Sequence, residues 1–208
     1  MRLKNVKGAK EYIEKCSYVI NNPEKYKGKF KEIFDNDNLI QIEIGMGKGD
    51  FIIKMAEENP DINFIGIEMY DSVLLRATQK LEGVSLNNLK LLRYDATDIE
   101  KIFDKEVDTI YLNFSDPWPK NRHEHRRLTS KRFLKRYDNI FKGDNHIIQK
   151  TDNRGLFEFS LISFVDYGYK INDISLDLHK SHEKIVETEY EKKFVKLGMP
   201  IYMVDIYK

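Results

Sequence analysis

Asp116, Pro117, Trp118, Pro119 and Lys120 follow an apolar run, Val107 to Phe114, that reads as a strand. The two prolines lock φ around a carboxylate and a tryptophan. The segment is therefore a rigid platform at a strand end, where open α/β sheets hold ligands. From Lys120 to Arg136 there are eight Lys or Arg against one acid, Glu124, which points to an anionic polymer as substrate. A second stretch, Glu43-Ile44-Gly45-Met46-Gly47-Lys48-Gly49-Asp50, sets evenly spaced glycines where backbone can approach a ligand closely. A dinucleotide fingerprint needs its third glycine where Asp50 stands, so the spacing disfavours a pyrophosphate.

These residues need a scaffold that delivers them to one place. Apolar runs suited to buried strands alternate with amphipathic helical stretches, the rhythm of a doubly wound α/β fold with parallel strands and helical crossovers. Strands are predicted at Leu39 to Ile44, Asn63 to Glu68, Lys90 to Tyr94, Val107 to Phe114 and Asn145 to Lys150. Helices are predicted at Phe51 to Asn59, Ser72 to Leu81, Thr97 to Phe103, Lys131 to Phe141 and Leu156 to Val165. Tyr169 to Leu178 and Pro200 to Tyr207 alternate as an antiparallel closing pair around a charged helical piece, Glu187 to Leu197. In this frame a carboxylate ends each successive strand: Glu43, Glu68, Asp95 and Asp116. Any one of them is ordinarily a cap or turn residue. Four in register are expected to face one crevice.

The length gives one domain, residues 1–208, with residues 1–38 a basic helical prelude. Formal net charge is only +1, but charge is segregated: Arg2 to Lys31 carries nine Lys or Arg against Glu11, Glu14 and Glu24. Two such segments line one basic face or, more plainly, form two solvated helix surfaces. Cys16 stands alone, which excludes an internal disulfide and fits a reducing cytoplasm. No stretch approaches the roughly 18 apolar residues of a membrane span, and neither a metal site nor a membrane partner is expected.

The Glu43 to Gly49 loop resembles the acid-x-Gly-x-Gly-x-Gly loop of class I S-adenosylmethionine-dependent methyltransferases, whose ligand carries a sulfonium and an amino-acid head. More specifically, the chain from about Leu39 to Lys208 resembles bacterial tRNA (guanine-N7-)-methyltransferases, which methylate guanosine 46 in the tRNA variable loop. The likeness is carried by that loop, by Phe114 to Arg127, by Thr151-Asp152-Asn153 with Leu156 and Phe157, and by Thr188 to Glu191. It implies a Rossmann-like class I methyltransferase sheet, mostly parallel with an antiparallel C-terminal strand and helices on both faces. It implies S-adenosyl-L-methionine bound by Glu43, Gly45, Gly47, Glu68, Asp95 and Asp116, with Asp116 also catalytic. It further implies tRNA bound by Lys120, Asn121, Arg122, His123, Glu124, His125, Asp152, Thr188, Glu189, Tyr190 and Glu191. Asn121 and His125 depart from the more basic pattern of the family, which reads as a weaker or pH-dependent phosphate contact because Lys120, Arg122, Arg126 and Arg127 remain. The sequence leaves monomer and homodimer open, with a lean to the dimer.

Guanine N7 has a free lone pair, so a strong general base is unnecessary and the lack of a catalytic His or Cys arrangement counts for little. Thr188 and Glu191 also fit a Thr-x-x-Glu capping box, Trp118 is expected to be half-buried packing before it is a base-stacking surface, and His146 is expected to be a satisfied core residue. The alternatives are an amino-group methyltransferase acting on adenine N6, a nicotinamide-dependent oxidoreductase, and a non-catalytic tRNA-binding module.

Overall fold

The computed structural model describes residues 6–208; Arg2, at the start of the basic prelude, lies outside them. Two short helices, α1 (Ala9–Lys15) and α2 (Phe30–Phe34), precede the first strand, β1 (Ile40–Ile44). Then follow α3 (Asp50–Glu58), β2 (Asn63–Glu68), α4 (Asp71–Lys80), β3 (Leu89–Arg93), β4 (Val107–Asn113) and α5 (Lys131–Tyr137). The chain closes with β5 (Phe141–Thr151), α6 (Arg154–Asp166), β6 (Lys170–Ser175), α7 (Leu178–Ser181), α8 (Glu189–Val195) and β7 (Tyr202–Tyr207).

The strands form one sheet in the order β3-β2-β1-β4-β5-β7-β6. β1 pairs in parallel with both β2 and β4, whereas β7 runs antiparallel to β5 and β6. The order reverses between β1 and β4. Carboxyl ends of strands on either side of such a reversal leave a crevice, and Glu43 and Asn113 stand there. β2 is buried at every position, as a parallel strand covered on both faces requires. One face packs Ile52, Ala56 and Leu74 from α3 and α4; the other packs Phe133, Tyr137, Phe157 and Phe164 from α5 and α6.

The prelude is built into this core. Ile13 of α1 packs with the α3 and α4 layer, Phe30 and Phe34 of α2 join the opposite layer, and Val19 bridges in parallel to Leu91 of β3.

Several expected boundaries are corrected. The helix predicted to reach Phe141 ends at Tyr137, because Glu106 and Val107 donate their amides to the Ile140 carbonyl and draw Phe141 into β5. A register shift against β4 then lets residues 142–144 bulge outward before the ladder resumes at His146. The Thr97 to Phe103 helix is a 3-10 helix, Ala96–Lys101, kinked at Asp98. The strand expected to run to Leu178 stops at Ser175, and Leu178 opens α7. Among the described residues no helix is long and apolar enough to cross a membrane.

Candidate active site

The turn from β1 into α3 is dictated by its glycines. Gly45, Gly47 and Gly49 all have left-handed φ, at 76°, 59° and 77°, a region that residues with a β-carbon enter only at a steric cost. Beneath the turn, Gly66 of β2 has no room for a side chain because the Met46 thioether occupies that position. The turn is thereby pressed against β2, and the Gly45 and Met46 amides both donate to the Ile67 carbonyl.

Four strand-end carboxylates were expected in one crevice; in the structure Glu43 and Glu68 are buried and Asp95 and Asp116 are exposed. Glu43 is 1 % exposed. Its Oε1 accepts from Asn113 Nδ2 at 2.8 Å, while its Oε2 and Asn113 Oδ1 are buried without a partner. Burial pushes the Glu43 carboxyl up to about 8, against the Asn113 hydrogen bond and the Lys150 charge, which favour ionisation. Glu68, also buried, accepts from the Gly47 and Tyr70 amides at 3.2 and 3.0 Å. Desolvation raises its pKa, the backbone donors oppose this, and the nearby Asp116 charge adds to the rise. Asp116 itself is exposed. Asp95 is exposed too, and caps the 3-10 helix by accepting from the Thr97 amide at 2.8 Å.

A cavity of about 350 Å³ lies over β1 and β4, bounded by Glu43, Gly45, Gly47, Asn113, Thr188 and Tyr190, among others. It joins the glycine turn to the Thr188 segment, which sequence reasoning had assigned to a different ligand. Lys48 and Glu189 form an ion pair of 2.7 Å across its rim. Two acceptor oxygens without partners at its floor, one of them on a buried carboxylate, call for a ligand group with several N–H donors and a positive charge. A second cavity, about 450 Å³, lies between the prelude and α4 and contains none of the expected site residues.

Thr188 caps α8 with both bonds of a capping box: its side chain accepts from the Glu191 amide, and the Glu191 carboxylate accepts from the Thr188 amide. Glu191 is fully buried. Lys150 Nζ reaches its Oε2 at 2.7 Å and His179 Nε2 its Oε1 at 3.0 Å, so both carboxylate oxygens are engaged inside the protein. Glu189 and Tyr190 face solvent. The Tyr190 ring packs on Phe114 at 5.2 Å and on Phe194 at 4.4 Å. Asp152 is half-buried and its charge raises the Tyr190 hydroxyl pKa, secondary to burial.

Lys120 leads into a 3-10 helix, Asn121–Arg126, in which Asn121, Arg122, Glu124 and His125 are exposed and His123 is half-buried. Desolvation first, then the Arg126, His125 and Lys120 charges, lower the His123 pKa. The basic run divides here. Arg122 stands out to solvent, Arg126 lies over the half-buried Trp118 ring at 4.8 Å, and Arg127, expected as another phosphate cation, is 9 % exposed and turned into the protein. His146 is half-buried, not a core residue, and is satisfied by Thr109 and Asp205.

Sequence reasoning missed Asn113, Lys150 and the inward role of Arg127. Asn113 and Lys150 left a signal, a polar residue inside or at the end of an otherwise apolar strand run.

A family model described as "Putative methyltransferase" matches residues 37–204. Proteins named tRNA (guanine-N(7)-)-methyltransferase are similar along the whole chain. That of Lachnoclostridium phytofermentans is 52 % identical, covering 100 % of this chain and 99 % of its own. That of Bacillus subtilis is 50 % identical over 99 % of this chain and 98 % of its own. Among solved structures, an antibiotic-related methyltransferase superposes with a TM-score of 0.72 at 18 % identity, covering 93 % of this chain and 98 % of that one. The 16S rRNA methyltransferase KamB gives 0.62 at 13 % identity, over 86 % and 91 %. The structural likeness establishes the class I methyltransferase fold.

Proposed function

This chain belongs to the tRNA (guanine-N7-)-methyltransferase family, and from that membership we propose that it transfers a methyl group from S-adenosyl-L-methionine to N7 of guanosine 46 in the tRNA variable loop. The observation that most supports the donor is the pair of unpartnered acceptors, Glu43 Oε2 and Asn113 Oδ1, on the floor of the glycine-turn cavity. An α-ammonium group satisfies both, whereas a pyrophosphate would bring negative charge to a buried carboxylate.

When bound, S-adenosyl-L-methionine supplies an electrophilic methyl on a sulfonium. The chain supplies position and charge. Glu43 and Asn113 hold the ammonium, Glu68 keeps lone pairs for the ribose hydroxyls, and Asp95 is the acceptor for the adenine amino group. Asp116 faces the guanine, which turns cationic as N7 is methylated. A carboxylate about 4 Å from that charge favours it by about 4 kcal/mol at an effective dielectric near 20. No residue need remove a proton before attack, and orientation supplies most of the acceleration. Lys120, Arg122 and the solvent-facing Glu189 and Tyr190 hold the tRNA. The whole chain, 1–208, acts as one catalytic domain in the cytoplasm.

The test is to incubate the protein with S-adenosyl-L-methionine and unmodified tRNA transcripts and to identify the methylated nucleoside by mass spectrometry. 7-Methylguanosine mapped to position 46 supports the reading, while methylated adenosine replaces it with amino-group chemistry. Asp116→Asn should then lower turnover far more than tRNA affinity.

A further inference from the structure

Asp116 makes no side-chain hydrogen bond among the described residues, so the backbone is what fixes the origin and Cα–Cβ direction from which its carboxylate extends. That backbone is unusual. Phe114 and Trp118, on either side of it, have left-handed φ of 51° and 40°, a conformation that non-glycine residues keep only where neighbouring groups enforce it. One end is pinned by the sheet, where the Phe114 amide donates to the Lys150 carbonyl at 2.8 Å. The other end is pinned by Arg127. Its Nε donates to the Pro117 carbonyl at 2.9 Å and its Nη2 to the Trp118 carbonyl at 3.0 Å.

The guanidinium is committed to this task. Arg127 is 9 % exposed, its guanidinium carbon lies 4.2 Å from the Phe159 ring centre, and among the described residues it pairs with no carboxylate. Two carbonyls of consecutive residues are the acceptors, which a planar fork meets with two N–H groups in fixed relative geometry, whereas an ammonium reaches them from a single point on a flexible stem.

We propose that Arg127 is a positioning residue that aims Asp116 by clamping the Pro117 and Trp118 carbonyls, and that it is no part of the phosphate-binding surface. The inference rests on the assignment of Asp116 above. A misplacement of about 1 Å at a reacting centre costs on the order of 100-fold in rate, which sets the expected effect.

The test compares Arg127→Ala and Arg127→Lys with Asp116→Asn and Arg122→Ala, measuring kcat, KM for tRNA, and the dependence of tRNA affinity on salt. Arg127→Ala is expected to lose about 100-fold in kcat with KM and salt slope unchanged, and added guanidinium ion should restore part of the loss. Arg127→Lys should keep the charge and the fold yet still lose kcat at least about tenfold, because a single nitrogen on a flexible stem does not hold the two carbonyls in the geometry that the rigid fork imposes. Arg122→Ala should instead weaken tRNA binding and lower the salt slope by about one. The proposal is overturned if Arg127→Ala lowers the salt slope as Arg122→Ala does, or if both Arg127 variants stay within about twofold of wild-type kcat. It is overturned as well if neither Arg127 variant folds, since the clamp would then belong to the fold. Normal turnover in Asp116→Asn sinks the Asp116 assignment, and this inference with it. Loss in Asp116→Asn beside a normal Arg127→Lys sinks this inference alone.

Discussion

Replacing Glu43 with glutamine should flatten the dependence of stability on pH. The Glu43 carboxyl stands near 4.5 in an unfolded chain and is pushed up to about 8 by burial in the folded one. Between those values the folded state keeps a proton that the unfolded state has released. The stability contributed by this group is therefore fully present below pH about 4.5 and is lost as pH rises through about 8, with a slope approaching 1.4 kcal/mol per pH unit. From about pH 5 to pH 8 the loss is on the order of 3 kcal/mol, less any relief from water reaching the unpartnered Oε2. Glutamine has nearly the same shape and does not titrate in this range. Urea denaturation of wild type and Glu43→Gln at four pH values isolates the contribution, because every other titrating group is common to both. The expected result is that Glu43→Gln gains on wild type steadily as pH rises. Parallel curves would refute the reasoning and mean that Glu43 ionises in the folded state near its ordinary value. The same proton should be displaced by a cationic ligand group. Binding of S-adenosylhomocysteine at about pH 7 should release close to one proton in wild type and none in Glu43→Gln, read by calorimetry in two buffers of different ionisation enthalpy.

Two further substitutions test the supports of the site. Lys150→Met strands the fully buried Glu191 carboxylate and should cost about 3 to 5 kcal/mol in urea denaturation; adding Glu191→Gln should recover most of it, and failure to recover would mean that Lys150 acts chiefly through the Val186 carbonyl or the Phe51 ring. Gly66→Ala drives a β-carbon into the Met46 thioether, with Leu91 and Ile52 already at 3.1 and 3.3 Å. A loss of about 1 to 3 kcal/mol is expected, together with weaker S-adenosylhomocysteine binding because Met46 belongs to the glycine turn; unchanged binding would show that the turn does not depend on this contact.

Much of the fold was legible because its determinants are local. Asn63 to Glu68 is continuously buried and lies between helical stretches, which only a covered parallel strand explains. The closing pair, with Tyr202–Tyr207 antiparallel to Lys170–Ser175, followed from the alternation of both segments, although α7 and α8 lie between them. Boundaries failed where a distant partner decided them. Phe141 has the apolar character to end a helix, and it became a strand residue because β4 offered unpaired backbone groups beside it.

The sequence by itself determined that a glycine turn follows the first strand, that a proline-stiffened carboxylate follows the fourth, and that Thr188 and Glu191 open a helix. These are statements about φ, side-chain period and capping, all settled within a few residues. Which way the polar side chains face was decided only by the tertiary structure. Glu43 meets Asn113 across 70 residues of chain, and Glu191 meets Lys150 across 41. Arg127 turns inward because the Pro117 and Trp118 carbonyls, in a turn where Trp118 takes a left-handed φ, lie within its reach. A charged side chain goes where its desolvation is compensated, and that compensation comes from groups that sequence proximity does not reveal.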